Sequence, residues 1–301
     1  MSAKRLGWRN WLEYAAVRVA VASLQIGPRT LADRIARFYV WLLDRGIPRL
    51  RRVAEKNVHM ALPALSAAEH QRIVNGSFHS IARILVAVAR FPRITSQNIS
   101  AWIRYDGFEH FEAALAEGHG VLFATAHLGN WELSAFAHAI LSGRPMHVVV
   151  RALDNPHIDA LVENRRRLSG NQVIEKRDYA RGILRALGRN EAVGVLIDQN
   201  AGLREGIFLD FFGVPACVAT GFAKIAAHSH APIIPGYALW SDAEQRYILK
   251  FYPPIHATGD ADADTRALHA HLESVIRDYP DQWLWMHRRW KTRPPGAPPL
   301  Y

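Results

Sequence analysis

The sequence predicts an α/β fold: a mostly parallel central sheet flanked by helices, preceded by a helical, membrane-associated N-terminal extension. Three observations carry that expectation. From Val121 onward, short apolar runs alternate with segments of helical period, the pattern of strands joined by crossover helices. The run Val121–Ala126 stops abruptly at His127, Gly129 and Asn130, as a buried parallel strand does where it meets a ligand-facing loop. Residues 1–46 differ in kind, being rich in Trp, aliphatic and Arg side chains.

In chain order, residues 1–46 read as the membrane-associated helical segment and 47–301 as one large domain. Tyr14 to Ile26 is the most apolar part, but Arg18 interrupts it and Pro28 closes it, short of the roughly 20 apolar residues of a spanning helix. Trp8, Trp11 and Tyr14 with basic flanks suit a helix lying in the headgroup layer. A cleaved leader ending near Ala20-Val-Ala22, which Arg18 argues against, and a plain helix hairpin are the alternatives. Residues 48–92 read as helices: Ser66–Glu69 forms a capping box, and Ile73, Phe78, Ile81, Ile84, Leu85 and Val88 keep a helical period up to Pro92. Ile103–Tyr105 reads as a short strand and Phe108–Ala116 as a helix ended by Gly118.

The alternation then predicts strands over 121–126, 146–150, 172–174 and 192–197, separated by helices over 131–142, 156–168 and 179–188. Asn130 is placed to cap the first of these helices, with Glu132 in its first turn. Gly206–Ala216 reads as an apolar, aromatic wall or interfacial loop, with ordinary core packing of its phenylalanines as the equal alternative. Ala231–Gly236 and Arg246–Phe251 read as strands, Asp264–Arg277 as a helix, and Pro294–Pro299 as an extended tail.

The chain of 301 residues is 50% hydrophobic, ample for a core. Lys and Arg number 37 against 27 Asp and Glu, a formal charge of +10, which favours anionic partners such as phospholipid headgroups or an acidic carrier protein. Nucleic acid is not expected, because no zinc-ligand spacing or RNP-like aromatic string occurs and the basic residues are scattered among apolar helices. The single cysteine, Cys217, excludes an intramolecular disulfide, and its apolar flanks mark a buried structural thiol. No CxxC or HExxH spacing supports a metal, and no cofactor is expected.

The candidate chemistry lies at the strand ends. An imidazole such as His127 works as a general base when a second group fixes its tautomer, and the Glu132 carboxylate can fold back across the turn to do so. A loop histidine beside a helix-dipole carboxylate is the plain alternative. Arg151 follows the run Met146–Val150, so its guanidinium can bind phosphate or support developing negative charge on the same edge. Asp198 ends a third strand and can pair with Arg151, or simply begin a turn. Arg165–Arg167 reads as a solvated basic face. Trp283, Trp285, Trp290 and the string His287–Arg293 suit a membrane interface, or else docking on the domain by cation-π contacts.

The string His127-Leu-Gly-Asn-Trp-Glu132 resembles the H-x-x-x-x-[DE] motif of the glycerolipid acyltransferase superfamily, and its interior is similar to that of the bacterial lipid A late acyltransferases and related mannoside acyltransferases. The resemblance continues at Val149–Pro156, Asp198-Gln-Asn200, Phe211–Ala216 and Trp285–Pro294. It implies transfer of a fatty acyl chain from an acyl carrier protein thioester, or acyl-CoA, to a hydroxyl of a lipid A precursor or another anionic membrane lipid, at the cytoplasmic face of a bacterial inner membrane. By the same resemblance His127 is the base, Glu132 orients it and Asp198 lies in the active site; Arg151, aided by Asp198, is the candidate for electrostatic support from its place at a strand end. Phe211, Phe212 and Gly213 are the substrate-binding residues the resemblance implies, and Asn130 in the first motif and Thr220 on the helix after the third are added to them as candidates. That branch commonly has Asp-Gln-Asp where this chain ends in Asn200, leaving the third position without an assigned role. The G-x-S-x-G elbow is absent, so direct transfer without a covalent enzyme intermediate is expected. Aminolipid, lysophospholipid and glycolipid acceptors, and a non-catalytic lipid-binding protein, are the alternatives.

Overall fold

Val121–Thr125 carries apolar side chains toward both faces, and a strand of that kind needs cover on both. In the computed structural model, which describes residues 7–175 and 179–301, it becomes β2 at the middle of the sheet. Among the described residues the main sheet has the order β1 (Ile103–Asp106), β9 (Arg246–Phe251), β8 (Ile233–Ser241), β2, β5 (Ala192–Leu196), β3 (His147–Val150), β4 (Gln172–Glu175). The strands from β8 to β4 are parallel, while β9 runs antiparallel to β8 and β1 parallel to β9. The sheet is therefore mostly parallel, as expected.

Helices cover both faces. On one, α5 (Phe108–Ala116) and α6 (Trp131–Ser142) bury Phe111, Leu133 and Phe136 against Phe123 and Ile234. On the other, α8 (Tyr179–Leu187), α9 (Gly221–Ser229) and α10 (Ala261–Asp278) bury Ile183, Phe222, Ile225 and Leu268 against Leu122 and Val193. The remaining crossover helix, α7 (Pro156–Arg167), joins β3 to β4.

The N-terminal residues 7–46 are helical, forming α1 (Gly7–Gln25) and α2 (Arg29–Gly46); residues 1–6 lie outside the described residues. With α3 (Pro48–Ala61) and α4 (Ala67–Arg90) they form a layer whose buried side chains, Leu24, Ala32, Ala36, Val58, Val74 and Phe78, share one core with Trp283 and Trp285. The Ser66–Glu69 capping box starts α4 with both of its reciprocal bonds made. At the other end of α4, Arg90 donates to the carbonyls of Leu24 (2.8 Å) and Gly27 (2.9 Å), closing the C-terminus of α1. No helix among the described residues is long and apolar enough to cross a membrane.

Two open readings are decided by the structure. The stretch Gly206–Ala216 is not an exposed aromatic wall but an antiparallel hairpin, β6 (Gly206–Phe211) and β7 (Val214–Ala219). Its turn uses Phe212 and Gly213, both at positive φ (58° and 74°), the backbone a two-residue hairpin turn demands. Phe211 and Phe212 are buried against Trp283, Trp285 and Trp290, whose indoles are themselves 2%, 0% and 0% exposed. The C-terminal tryptophans therefore dock on the domain; they do not form an interfacial belt.

Candidate active site

The site grows from the turn after β2. Gly129 has a φ of 63°, and a Cβ there would collide with the Ala238 carbonyl of β8, so glycine alone lets the loop reverse so tightly. The Asn130 side chain then accepts the Leu133 N–H (3.0 Å) and starts α6. The loop is held from outside by the C-terminal segment: Leu284 N–H donates to the His127 carbonyl and Gly129 N–H to that of Gln282, both at 3.0 Å.

β2 and β5 are neighbours in register, Thr125 opposite Leu196, and the Ile197 N–H donates to the Thr125 carbonyl (2.9 Å) beyond the strands. Continuing that register puts His127 opposite Asp198. Asp198 Oδ1 lies 2.9 Å from His127 Nδ1, and Oδ2 accepts the His127 backbone N–H and the Trp283 indole N–H, each at 2.9 Å. With Nδ1 committed to the carboxylate, Nε2 is the ring nitrogen left for chemistry. Burial opposes the imidazolium, but the Asp198 charge and hydrogen bond, with a further contribution from Glu132, outweigh it and raise the His127 pKa. Burial likewise opposes the Asp198 anion. His127 and the Trp283 hydrogen bond reverse that and hold the carboxyl well below the usual carboxylate range.

The expected Glu132–His127 hydrogen bond is not formed. Glu132 instead accepts from Arg166, at 2.8 Å to Nε and 2.6 Å to Nη2. The cap at Asn130 fixes the direction of the first turn of α6 and aims Glu132 at α7, while sheet register brings Asp198 to the imidazole. Arg166 in turn is not on a solvated face: it is half-buried, with its charge held by Glu132. The expected Arg151–Asp198 pair is also absent, because Asp198 is fully engaged by His127 and Trp283; Arg151 is exposed at the cavity wall.

Two cavities meet at this edge. The wider, of ≈ 690 Å³, has His127, Arg151, Leu153, Gln199, Phe222 and His269 in its walls. The narrower, of ≈ 70 Å³, lies beneath α6 and is lined by Phe123, Thr125, Phe136, His138, Met146 and Phe251 among others. Trp131, Glu132, Val149, Val150, Arg166 and Leu196 belong to both. Asn130, Phe211, Phe212, Gly213 and Thr220 line neither: Asn130 and Thr220 are buried at helix starts, the two phenylalanines are in the core, and Gly213 is at an exposed hairpin tip.

Several residues that the sequence marks without a site role support this region. Trp283 holds Asp198 across a separation of 85 residues, for which no local signal exists. Arg289, fully buried, donates through Nη1 to the carbonyls of Gln199 (3.0 Å) and Cys217 (3.1 Å) beside Asp198, with its guanidinium 5.2 Å from the Phe211 ring centre. Burial pushes its pKa down to about 10. Asn200, the departure from Asp-Gln-Asp, accepts the Thr292 N–H and donates to its hydroxyl, both at 2.9 Å, tying the strand-end loop to the C-terminal segment. Among the described residues no group of His, Cys, Asp and Glu is placed to hold a metal ion.

By fold and site, this is an α/β protein with a histidine–aspartate pair at adjoining strand ends, opening on a wide and a narrow cavity. Its sequence matches the model of the bacterial lipid A biosynthesis acyltransferases over residues 2–292, and the chain belongs to that family. It is an O-acyltransferase of the late lipid A branch. It is 28% identical over 296 residues to the lipid A biosynthesis lauroyltransferase of Escherichia coli (strain K12), covering 97% of this chain and 95% of that one. It is 23% identical over 292 residues to the lipid A biosynthesis myristoyltransferase of the same strain, covering 96% and 88%. To the phosphatidylinositol mannoside acyltransferase of Mycobacterium tuberculosis (strain ATCC 25618 / H37Rv) it is 28% identical over 284 residues, covering 92% and 87%.

Proposed function

We propose that the protein moves a fatty acyl chain from an acyl carrier protein or CoA thioester to a hydroxyl of a lipid A precursor, with His127 as general base and Asp198 as the group that orients it. The observation carrying this reading is the His127 Nδ1–Asp198 bond at the edge where the two cavities meet. His127 Nε2 takes the acceptor hydroxyl proton as that oxygen attacks the thioester carbonyl. The tetrahedral intermediate then collapses, the carbon–sulfur bond breaks, and the imidazolium returns its proton to the leaving thiolate. Asp198 stabilises the imidazolium throughout.

The wide cavity takes the anionic acceptor, with Arg151 and Arg166 as the cations for its phosphate. The narrow, mostly apolar cavity takes the acyl chain. Glu132 keeps Arg166 in the shared wall and adds negative charge near the imidazole. Residues 1–46 act as a peripheral attachment to the cytoplasmic face of the inner membrane, supported by the exposed Trp8, Trp11 and Leu12 on α1, and residues 47–301 act as the acyltransferase domain. The similarity to lauroyl- and myristoyltransferases of lipid A biosynthesis supports a lipid A acceptor; the mannoside acyltransferase makes a glycolipid the second reading.

The test is a mass-spectrometric lipid profile of a strain lacking the protein, complemented with wild type or His127→Ala. One lipid A species lacking one acyl chain, restored by wild type alone, is the expected result. Equal restoration by His127→Ala would remove the histidine from the chemistry, and a deficit in a different lipid class would identify another acceptor.

A further inference from the structure

We propose that Asn155 is a positioning residue: it ties to α1 the segment that carries Arg151 and Arg166, so that this wall of the wide cavity keeps its place relative to the helix that seats on the membrane. The inference rests on the roles given above to those arginines and to α1. The crossover helix α7 differs from the other helices on the sheet. α5, α6, α8, α9 and α10 each bury apolar side chains, whereas α7 has no buried residue. Apolar burial therefore does little to fix it, and polar contacts take that role.

Near the C-terminal end of α7, Arg165 Nε donates to the Val88 carbonyl of α4 (3.1 Å), and Arg166 holds Glu132. At its start stands Asn155, only 4% exposed. Asn155 Oδ1 accepts the His157 (3.1 Å) and Ile158 (3.4 Å) N–H groups, capping a helix whose first residue, Pro156, has no N–H to satisfy. Its Nδ2 donates across to α1, to the Asn10 carbonyl (2.9 Å) and to Glu13 Oε2 (3.1 Å). An Asp in its place would cap as well but has no N–H to give.

One face of α1 completes the contact. Asn10, Glu13, Tyr14 and Val17, at helical spacing, are half-buried, while Trp8, Leu12 and Val19 on the other side are exposed. Trp11 lies at the border, its ring 4.2 Å from that of His157, and the Tyr14 ring is 5.6 Å from the same imidazole. The loop between β3 and α7 is fastened to α7 in turn, the Leu153 N–H donating to Asp159 Oδ1 (2.9 Å). Arg151, Leu153 and Asp154 of that loop and Arg166 of α7 all line the wide cavity. A shift at the start of α7 therefore moves the cations that meet the acceptor, while His127 and Asp198, held by β2 and β5, stay in place. Releasing Asn155 from α1 weakens acceptor binding and spares the chemistry.

The test compares the full chain as wild type, Asn155→Asp, and Asn155→Asp combined with Glu13→Gln. The single change keeps the cap, removes the donor and sets two carboxylates together; adding Glu13→Gln remakes the contact with donor and acceptor exchanged. By hydrogen-exchange mass spectrometry, residues 151–167 of Asn155→Asp should exchange about fivefold faster than in wild type, and the double variant should recover most of the difference. Acyl transfer to a lipid A precursor in vesicles of equal parts phosphatidylglycerol and phosphatidylethanolamine should show acceptor KM raised about fivefold in Asn155→Asp, with kcat and donor KM unchanged and the same recovery. Unchanged exchange in Asn155→Asp overturns the proposal, as does a fall in kcat at constant KM. A loss that Glu13→Gln does not reverse also overturns it, since the effect would then lie in the start of α7 itself. Vesicle flotation of wild type separates the premises. The exchange pattern without vesicle binding would sink the membrane role of α1, and the same pattern without transfer to any lipid acceptor would sink the proposed function; either result leaves the tie between α1 and α7 standing.

Discussion

His127 accepts a proton only while its imidazole is neutral, and Asp198 sets the pH at which that holds. Because the folded environment raises the His127 pKa above its ordinary value near 6.5, the neutral fraction and kcat/KM should climb with pH along a limb displaced to the alkaline side. Asp198→Asn removes the anion but leaves the burial, so the limb should move to lower pH while kcat falls by about 100-fold or more. A pH–rate profile of the two proteins reads both effects, and a limb moving to higher pH would contradict the pairing. Glu132→Gln leaves the Asp198 bond intact and frees Arg166; it should raise KM more than it lowers kcat, and shift the limb less than Asp198→Asn does. Steady-state kinetics at saturating donor separates the two cases. At this scale His127 and Glu132 were legible because they lie in one short string. The partner of the histidine was not: Asp198 is 71 residues away, and strand register puts it within reach.

The elements carry their own signals unequally. α5, α6 and β9 have the ends that the periodicity, the Asn130 cap and the flanking glycines predict, because those determinants are local. The hairpin β6–β7 is open by sequence among a wall, a loop and core packing, since Phe212 is not a residue expected at a positive φ; its burial against Trp283 and Trp285 offsets that strain. Gly129 and Gly213 separate two uses of glycine. Both have positive φ, but a Cβ at Gly129 would meet the Ala238 carbonyl whereas one at Gly213 meets nothing within 4 Å. Gly129→Ala should therefore cost about 2 kcal/mol or more, and Gly213→Ala only about 1 kcal/mol. Thermal and urea unfolding of the two variants would test this; equal losses would show that the loop after β2 can shift away from β8.

At the scale of the molecule, α1 and α2 present two unlike faces. Their inner faces join the core under α4, while Trp8, Trp11, Leu12 and Val19 of α1 and Phe38 and Trp41 of α2 remain exposed on a chain of formal charge +10. The protein should bind vesicles containing anionic phospholipid, and less so as salt is raised. Replacing Trp8, Leu12 and Val19 by serine should lower the partition coefficient by about tenfold or more with little change in the melting temperature, since these side chains are exposed. Vesicle flotation beside calorimetry reads both; unchanged flotation would remove α1 from membrane attachment. Composition, periodicity and short motifs were enough to predict the parallel α/β sheet, the strand-end position of His127 and the acyltransferase resemblance, because each depends on neighbours in the chain. The Asp198 bond to His127, the Arg166 grip on Glu132, the burial of the C-terminal tryptophans and the two joined cavities depend on contacts between segments far apart in sequence. Those were decided only when the sheet order β8-β2-β5-β3 set which strand ends stand side by side.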